Sequence, residues 1–488
     1  MILLLTGYGF LFLCVVKGKA IKLIDLLMSF PIALLMYALT GFFLLSVAIP
    51  FNSYTQPLAM VILLLVIWLF SKMLLSNRKK AESEIAASAC TLDKKVLIIW
   101  ALATAVVVLI STSGIIPVSV TNDSMYYFSE YPRALVNYGN YNMFLDDFLT
   151  DASQGVAVIG TIPFLFGFDE IFGLLTFFNI DFIAIFICAV YELATEKLSQ
   201  RYSIILTLVS TLILITSMPF ILMSRWLMAN MFFMEYFVMV AFFAYKYSSE
   251  TVKDTRLLVL SVLISGISVM RMEGGLYAGV IILCIMMLDF DSKEIALYFV
   301  APVLLLHSLY LARIYLFITL RTGVQFMTKG KAAILLGFLL VILLYNLFIR
   351  NKHFMRLQKH YSLLLIVGLL FANVAVLVYD PSDYIVNIKA YIANLTGNSG
   401  WGLFTAFVIA VLIIIPKKSI NVNYFDFTLV TYILLAVVAG WARGDVLHAS
   451  FGDSGNRLLI QAVPLMVLVI SLKLRDAVNY MLSEGENS

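Results

Sequence analysis

Apolar runs of about fourteen to twenty residues recur from Met1 to Leu474, separated by short polar segments that carry most of the Lys and Arg. Runs of this length are apolar on all sides rather than on one stripe. That is the pattern of helices that satisfy their own backbone because the surroundings offer no water. It predicts an all-α, polytopic transmembrane helical bundle. Spans are expected at 1–16, 27–49, 58–75, 96–113, 171–194, 202–219, 227–245, 257–272, 274–290, 295–318, 332–349, 361–379, 402–416, 424–442 and 457–474, about fifteen crossings. The segment GVAVIGTIPFLF at 155–166 is apolar but spans only about half the roughly 20 residues that a helical crossing needs. It is expected to be interfacial or re-entrant.

The placement of basic residues orients these spans. Lys17, Lys19 and Lys22 follow the first run and none precedes it, which is the reverse of a cleaved leader and puts the N-terminus outside. Arg78, Lys79, Lys80, Lys94 and Lys95 then lie in the cytoplasm, residues 114–169 lie outside, and the C-terminus lies inside. On this topology the outer side carries Arg133, Arg225, Arg271, Arg313, Arg321, Arg443 and Arg457 but few Lys, whereas the inner loops favour Lys. Orientation requires positive charge of either kind. An outward excess of Arg therefore points to anion recognition by the guanidinium fork, or to contact with lipid headgroups.

Composition narrows the chemistry. A mean hydropathy of +0.99 with 13% charged residues leaves no segment outside the apolar runs able to bury a core of its own. The net charge of +4 does not point to nucleic acid. No GxxxxGK[ST] loop is present, so no nucleotide-binding domain is expected. Cys14, Cys188 and Cys284 fall in spans and Cys90 in an inner loop, which provides no outer disulfide. His448 is the one outer-loop histidine, too few for a His-rich zinc site. Asn394-Leu395-Thr396 is a glycosylation triplet to which no role is assigned.

Four outer features carry candidate chemistry. In TNDSMYYFSEYPRALVNYG, Asp123 beside Tyr126, Tyr127 and Arg133 suits a general base or a metal ligand, and suits the N-cap of a short amphipathic helix equally well. In VMRMEGGLY, Arg271 and Glu273 occupy the tip of a hairpin of two short apolar runs. That places an ion pair below the outer surface, either as the floor of a cavity or as a structural bridge. In ARGDVLHASFGDSGNRLLIQAVP, residues 442–464, Arg443, Asp445, His448, Asp453, Asn456 and Arg457 gather in a loop that leads into the last span. Finally, MPFILMSRWLMANMFFMEY offers Arg225, Asn230 and Glu235.

The first loop, the MRMEGG hairpin and DSGNRLLIQAVP together resemble the GT-C class of membrane glycosyltransferases, over the plan from about residue 96 to 475. The resemblance implies three regions: N-terminal spans at 1–95, a catalytic region at 96–475 with outer loop 114–169, and a cytoplasmic tail at 476–488. It implies a polyprenyl-phosphate sugar donor, a glycan or lipid acceptor, and residence in a bacterial cytoplasmic membrane in contact with its lipid, serving cell-envelope glycan assembly. Asp123 would be the catalytic base, with Arg271, Arg457, Arg225 and Arg133 on the donor phosphate. Glu273, Tyr126, Tyr127, His448, Asp453 and Asn456 would contact substrate. The class often has a second acidic residue where this chain has Ser124; either a later acidic residue such as Glu130, Asp146 or Asp147 substitutes, or none is needed. A divalent cation is compatible with these carboxylates but not required by them. The competing readings are a flippase or exporter of lipid-linked saccharides, and a polysaccharide polymerase or ligase.

Overall fold

A computed structural model describes residues 1–17, 22–76, 94–112, 126–139, 154–168, 171–225, 229–248, 254–319, 328–349, 360–398, 401–417, 422–443 and 454–485. Every element among them is helical. The chain opens with α1 (Ile2–Lys17), α2 (Leu23–Leu27), α3 (Ser29–Ser46), α4 (Thr55–Ser76) and α5 (Lys94–Thr112). A π-turn at Tyr126–Glu130 leads into α6 (Tyr131–Tyr138), followed by α7 (Gln154–Leu165) and α8 (Phe172–Thr195). Next come α9 (Gln200–Thr216), α10 (Met218–Arg225), α11 (Ala229–Ser248), α12 (Asp254–Met270) and α13 (Gly274–Ile285). The last third comprises α14 (Ser292–Leu316), α15 (Lys329–Phe348), α16 (Tyr361–Tyr379), α17 (Pro381–Ala393), α18 (Gly402–Ile414), α19 (Tyr424–Arg443), α20 (Ser454–Ile460) and α21 (Val463–Gly485).

Seven helices among the described residues are long and apolar enough to cross a membrane, or up to nine if each of two bent pairs counts as one span. This is a helical membrane protein. Its outer faces are apolar where a soluble protein would be polar: Leu403, Ile413, Ile414, Phe371 and Val378 are all strongly exposed. One bent pair joins α9 to α10 at 59°. The bend falls at Ser217, whose backbone is extended, just ahead of Pro219, which has no N–H to continue the ladder.

Buried along nearly its whole length, α3 is the centre of the bundle. Small residues let its neighbours approach. Gly9 of α1 meets the Ser29 carbonyl, Gly41 receives Val158 of α7, and Gly266 of α12 receives Leu35. With Val158 opposite Gly41, and Thr161 bonded at 2.7 Å to the Tyr37 hydroxyl, α7 runs antiparallel to α3. It starts beside Val269 and Met270 and descends into the bundle, every residue from Gln154 to Pro163 being buried. A helix lying in the interface would keep one exposed face. This segment is instead enclosed by protein.

Two elements extend beyond the expected pattern. Residues 381–393, expected as loop, form α17, opened by Asp380 as N-cap on the Asp383 N–H and by Pro381 in the first turn. It is clamped to α19 by Asn387 and Tyr391, which donate to the carbonyls of Val437 and Ala436 at 2.8 and 2.7 Å. The final helix, α21, continues past Leu474 to Gly485.

One end of the bundle is tied by charge. Lys17 pairs with Asp25 and stands over the Tyr247 ring; Lys246 meets Glu192 at 2.5 Å and Lys473 meets Asp426 at 2.6 Å. Arg475 reaches Asp476 and Glu196 at 2.9 and 3.1 Å, and Lys197 reaches Asp476 at 3.0 Å. These pairs gather the ends of α1, α2, α8, α11 and α19 and the middle of α21 on one side, the side to which the sequence assigns its basic inner loops.

Candidate anion site at the hairpin end

The opposite end is organised around the first turns of α11. Asn230, buried there, accepts from Arg271 Nη1 at 3.4 Å across the seam with the α12–α13 turn. That turn closes by the Gly274 N–H donating to the Arg271 carbonyl at 2.8 Å and the Leu276 N–H to the Glu273 carbonyl at 2.9 Å. The two glycines are needed for space. A Cβ on Gly274 would lie 2.5 Å from the Ile267 carbonyl oxygen, and one on Gly275 would lie 2.5 Å from the His307 ring. Only glycine lets the chain reverse this close to its own helix and to α14.

His307 is fully buried on α14, with Nδ1 facing the Ser268 carbonyl at 3.2 Å. Its ring stacks on Tyr310 at 5.8 Å between centroids, and Tyr310 stacks on Phe42 at 5.4 Å. The Tyr310 hydroxyl accepts from the Gln154 N–H, the first residue of α7, at 3.3 Å. Arg313, one turn further along α14, donates to the Leu45 carbonyl. This column fixes the hairpin tip against α3, α7 and α14. In the sequence His307 is one polar residue within an apolar run, and the close approach of Gly275 is what the fold adds.

Arg271 is the chemical centre of this end. Its side chain is only 13% exposed, yet its contacts are long: Nε stands 3.5 Å from Glu273 Oε2 and makes no hydrogen bond among the described residues, and Nη1 makes the 3.4 Å contact with Asn230. A guanidinium has five N–H donors, and well-made charge-assisted bonds are near 2.8 Å. A largely buried Arg held this loosely retains donor capacity for an anion.

Three of the other candidate regions converge on the same turns. Phe128, in the π-turn that follows the Asp123 segment, lies 6.5 Å from Phe232 between ring centroids. Arg225 ends α10, which packs on α11 and α20. Arg457 sits half-buried on α20, between α10, α11, α17 and α19. The exposed Arg133 is placed differently. Its guanidinium lies 5.3 Å from the Phe164 ring at the far end of α7, roughly 13 Å along that helix from the hairpin tip. Asn456 is fully buried, its Oδ1 accepting from Trp401 Nε1 at 2.6 Å, and Gln461 accepts from the Tyr432 hydroxyl at 2.6 Å. Both amides hold helices together. Asn394 of the glycosylation triplet is likewise fully buried.

Asp123, Ser124, His448 and Asp453 lie outside the described residues, as do the side chains of Tyr126, Tyr127 and Arg443. Among the described residues no three His, Cys, Asp or Glu side chains gather to hold a metal ion. No family model, no curated protein and no solved structure matches this chain.

Proposed function

We propose that this protein is an integral membrane glycosyltransferase of GT-C type, with about fifteen spans, the N-terminus outside and the C-terminus in the cytoplasm. It moves a sugar from a polyprenyl-phosphate donor to an acceptor hydroxyl on the outer face of a cell membrane, in cell-envelope glycan assembly. The observation that carries this reading is the convergence, at one end of an otherwise apolar bundle, of under-bonded Arg271, the helices bearing Arg225 and Arg457, and the segment that follows Asp123. The apolar flanks suit the lipid tail, and the guanidiniums suit the phosphate. In this scheme Asp123 takes the proton of the acceptor hydroxyl as its oxygen bonds to the anomeric carbon. The bond from that carbon to the phosphate oxygen breaks, and Arg271 and Arg457 neutralise the departing phosphate.

The test is transfer by purified protein in nanodiscs supplied with polyprenyl-phosphate sugars. Asp123→Asn keeps a cap but removes the base. It is expected to accumulate normally and to lose roughly 10²- to 10⁴-fold in rate. Arg457→Lys, which keeps charge and loses the fork, is expected to be impaired less. Full transfer by Asp123→Asn overturns the assignment.

A second reading, movement of lipid-linked saccharide across the membrane, is favoured by one observation: Asp181 and Glu235 are buried between α8 and α11, well inside the bundle. Proteoliposomes that flip a labelled lipid-linked saccharide without glycosidic transfer would favour it.

A further inference from the structure

α8 and α11 run side by side in the same direction with a constant register. Phe178 lies against Phe232, ring centroids 5.1 Å apart, and Glu192 meets Lys246 at 2.5 Å. In both pairs the partners are 54 residues apart in sequence. The same offset sets Asp181 opposite Glu235. Each precedes its member of the Glu192–Lys246 pair by about three helical turns, roughly 16 Å, which brings it back to the same face of its helix.

Both carboxyls are buried, Glu235 completely. Neither oxygen of Glu235 makes a hydrogen bond, nor does Asp181 Oδ2. Asn179 Oδ1 is also buried and unbonded, in an amide whose nitrogen rests 3.5 Å from Met231 Sδ, one turn before Glu235 on the same face of α11. Asn179 Nδ2 is committed to the Leu175 carbonyl at 2.9 Å, so among the described residues the seam gathers acceptors with no donor to spare. The nearby Tyr236 hydroxyl is committed to the Pro31 carbonyl at 2.7 Å. Among the described residues, the charged group acting on Glu235 is Asp181, and no basic side chain acts on either carboxyl.

Two ionised carboxylates placed this way would repel each other while each lost its hydration, with no cation to offset either effect. A proton on one of them removes a charge and turns an acceptor into the O–H donor that the set lacks. We propose that Asp181 and Glu235 form a proton-binding site in the middle of the bundle, taking up a proton from water and returning it, so that the pair never carries two negative charges. The site shares α11 with the anion site, because Glu235 stands roughly 7.5 Å along the helix from Asn230, the acceptor for Arg271. It holds whether that end transfers a sugar or moves a lipid.

Infrared difference spectra of the full chain in nanodiscs at neutral pH, in light and heavy water, test the proposal. A protonated-carboxyl C=O band is expected that shifts with deuterium and with carboxyl-labelled glutamate or aspartate, and that is lost in Glu235→Gln or Asp181→Asn. If those variants do not fold, the labelled wild-type chain carries the test by itself. Absence of the band overturns the proposal, as does a band that survives both substitutions. Thermal stabilisation that requires Na⁺ and is absent with a bulky organic cation also overturns it, because the seam would then hold a metal cation.

Discussion

The two ends of the bundle use the same residue types to opposite purposes. At the end where α8 and α11 finish, cations meet carboxylates at hydrogen-bonding distance, from 2.5 Å for Lys246–Glu192 to 3.1 Å for Arg475–Glu196. At the hairpin end, Arg271 stands 3.5 Å from its carboxylate and 3.4 Å from an amide oxygen. Pairs of the first kind close a structure, because each buried charge finds its complement within the chain. A buried guanidinium of the second kind has more to donate than the described residues accept. That surplus is what the proposed anion chemistry draws on, and counting charged residues cannot distinguish the two ends.

This comparison can be broken in order of expected effect. The largest is all-or-none. A cysteine at Gly330, exposed at the start of α15, is expected to react with an impermeant maleimide on intact cells, whereas one at Ser199, beside the charged belt, should react only after permeabilisation. Equal reaction of both would place the two ends on one side of the membrane. Next is activity: Arg271→Ala is expected to lower transfer roughly 10²- to 10³-fold with little change in melting temperature. Lys473→Ala should do the reverse, lowering the melting temperature while leaving the rate per folded molecule intact.

Smaller effects concern stability alone. Asp476→Ala leaves Arg475, only 7% exposed, with Glu196 as its remaining carboxylate, and is expected to cost about 3 kcal/mol in a denaturation series in detergent. Gly275→Ala drives a methyl into the His307 ring and should cost about 1 to 3 kcal/mol. Gly368→Ala, on a lipid-facing helix with nothing within 4 Å of the added carbon, should be neutral or stabilising by at most about 1 kcal/mol. If Gly275→Ala behaved like Gly368→Ala, the hairpin tip would not be held by His307 as described.

Part of this was legible in the chain. The MRMEGG turn does join two helices, as the two short apolar runs imply, and 155–165 does form a single short helix. Asp380-Pro381 suits an N-cap and first turn, yet the polar face of α17, with Asn387 and Tyr391, looks like loop until α19 supplies carbonyls for it. Arg133, expected with Arg271 on the donor phosphate, and Asn456, expected against substrate, have surroundings that composition cannot give. One lies at the far end of α7, and the other is bonded to an indole.

Local physics explains where that boundary falls. Apolar length and the position of Lys and Arg are properties of the chain itself, and water and lipid read them wherever the helices pack. They determined that this is an all-helical membrane protein, and which of its polar segments share a side of the bundle. Which buried polar group finds a partner depends on atoms a few ångströms away that are distant in sequence, so only the tertiary structure decided it. Among the described residues it gave Lys246 its Glu192, left Arg271 with donors to spare, and set Asp181 against Glu235 with nothing basic acting on either.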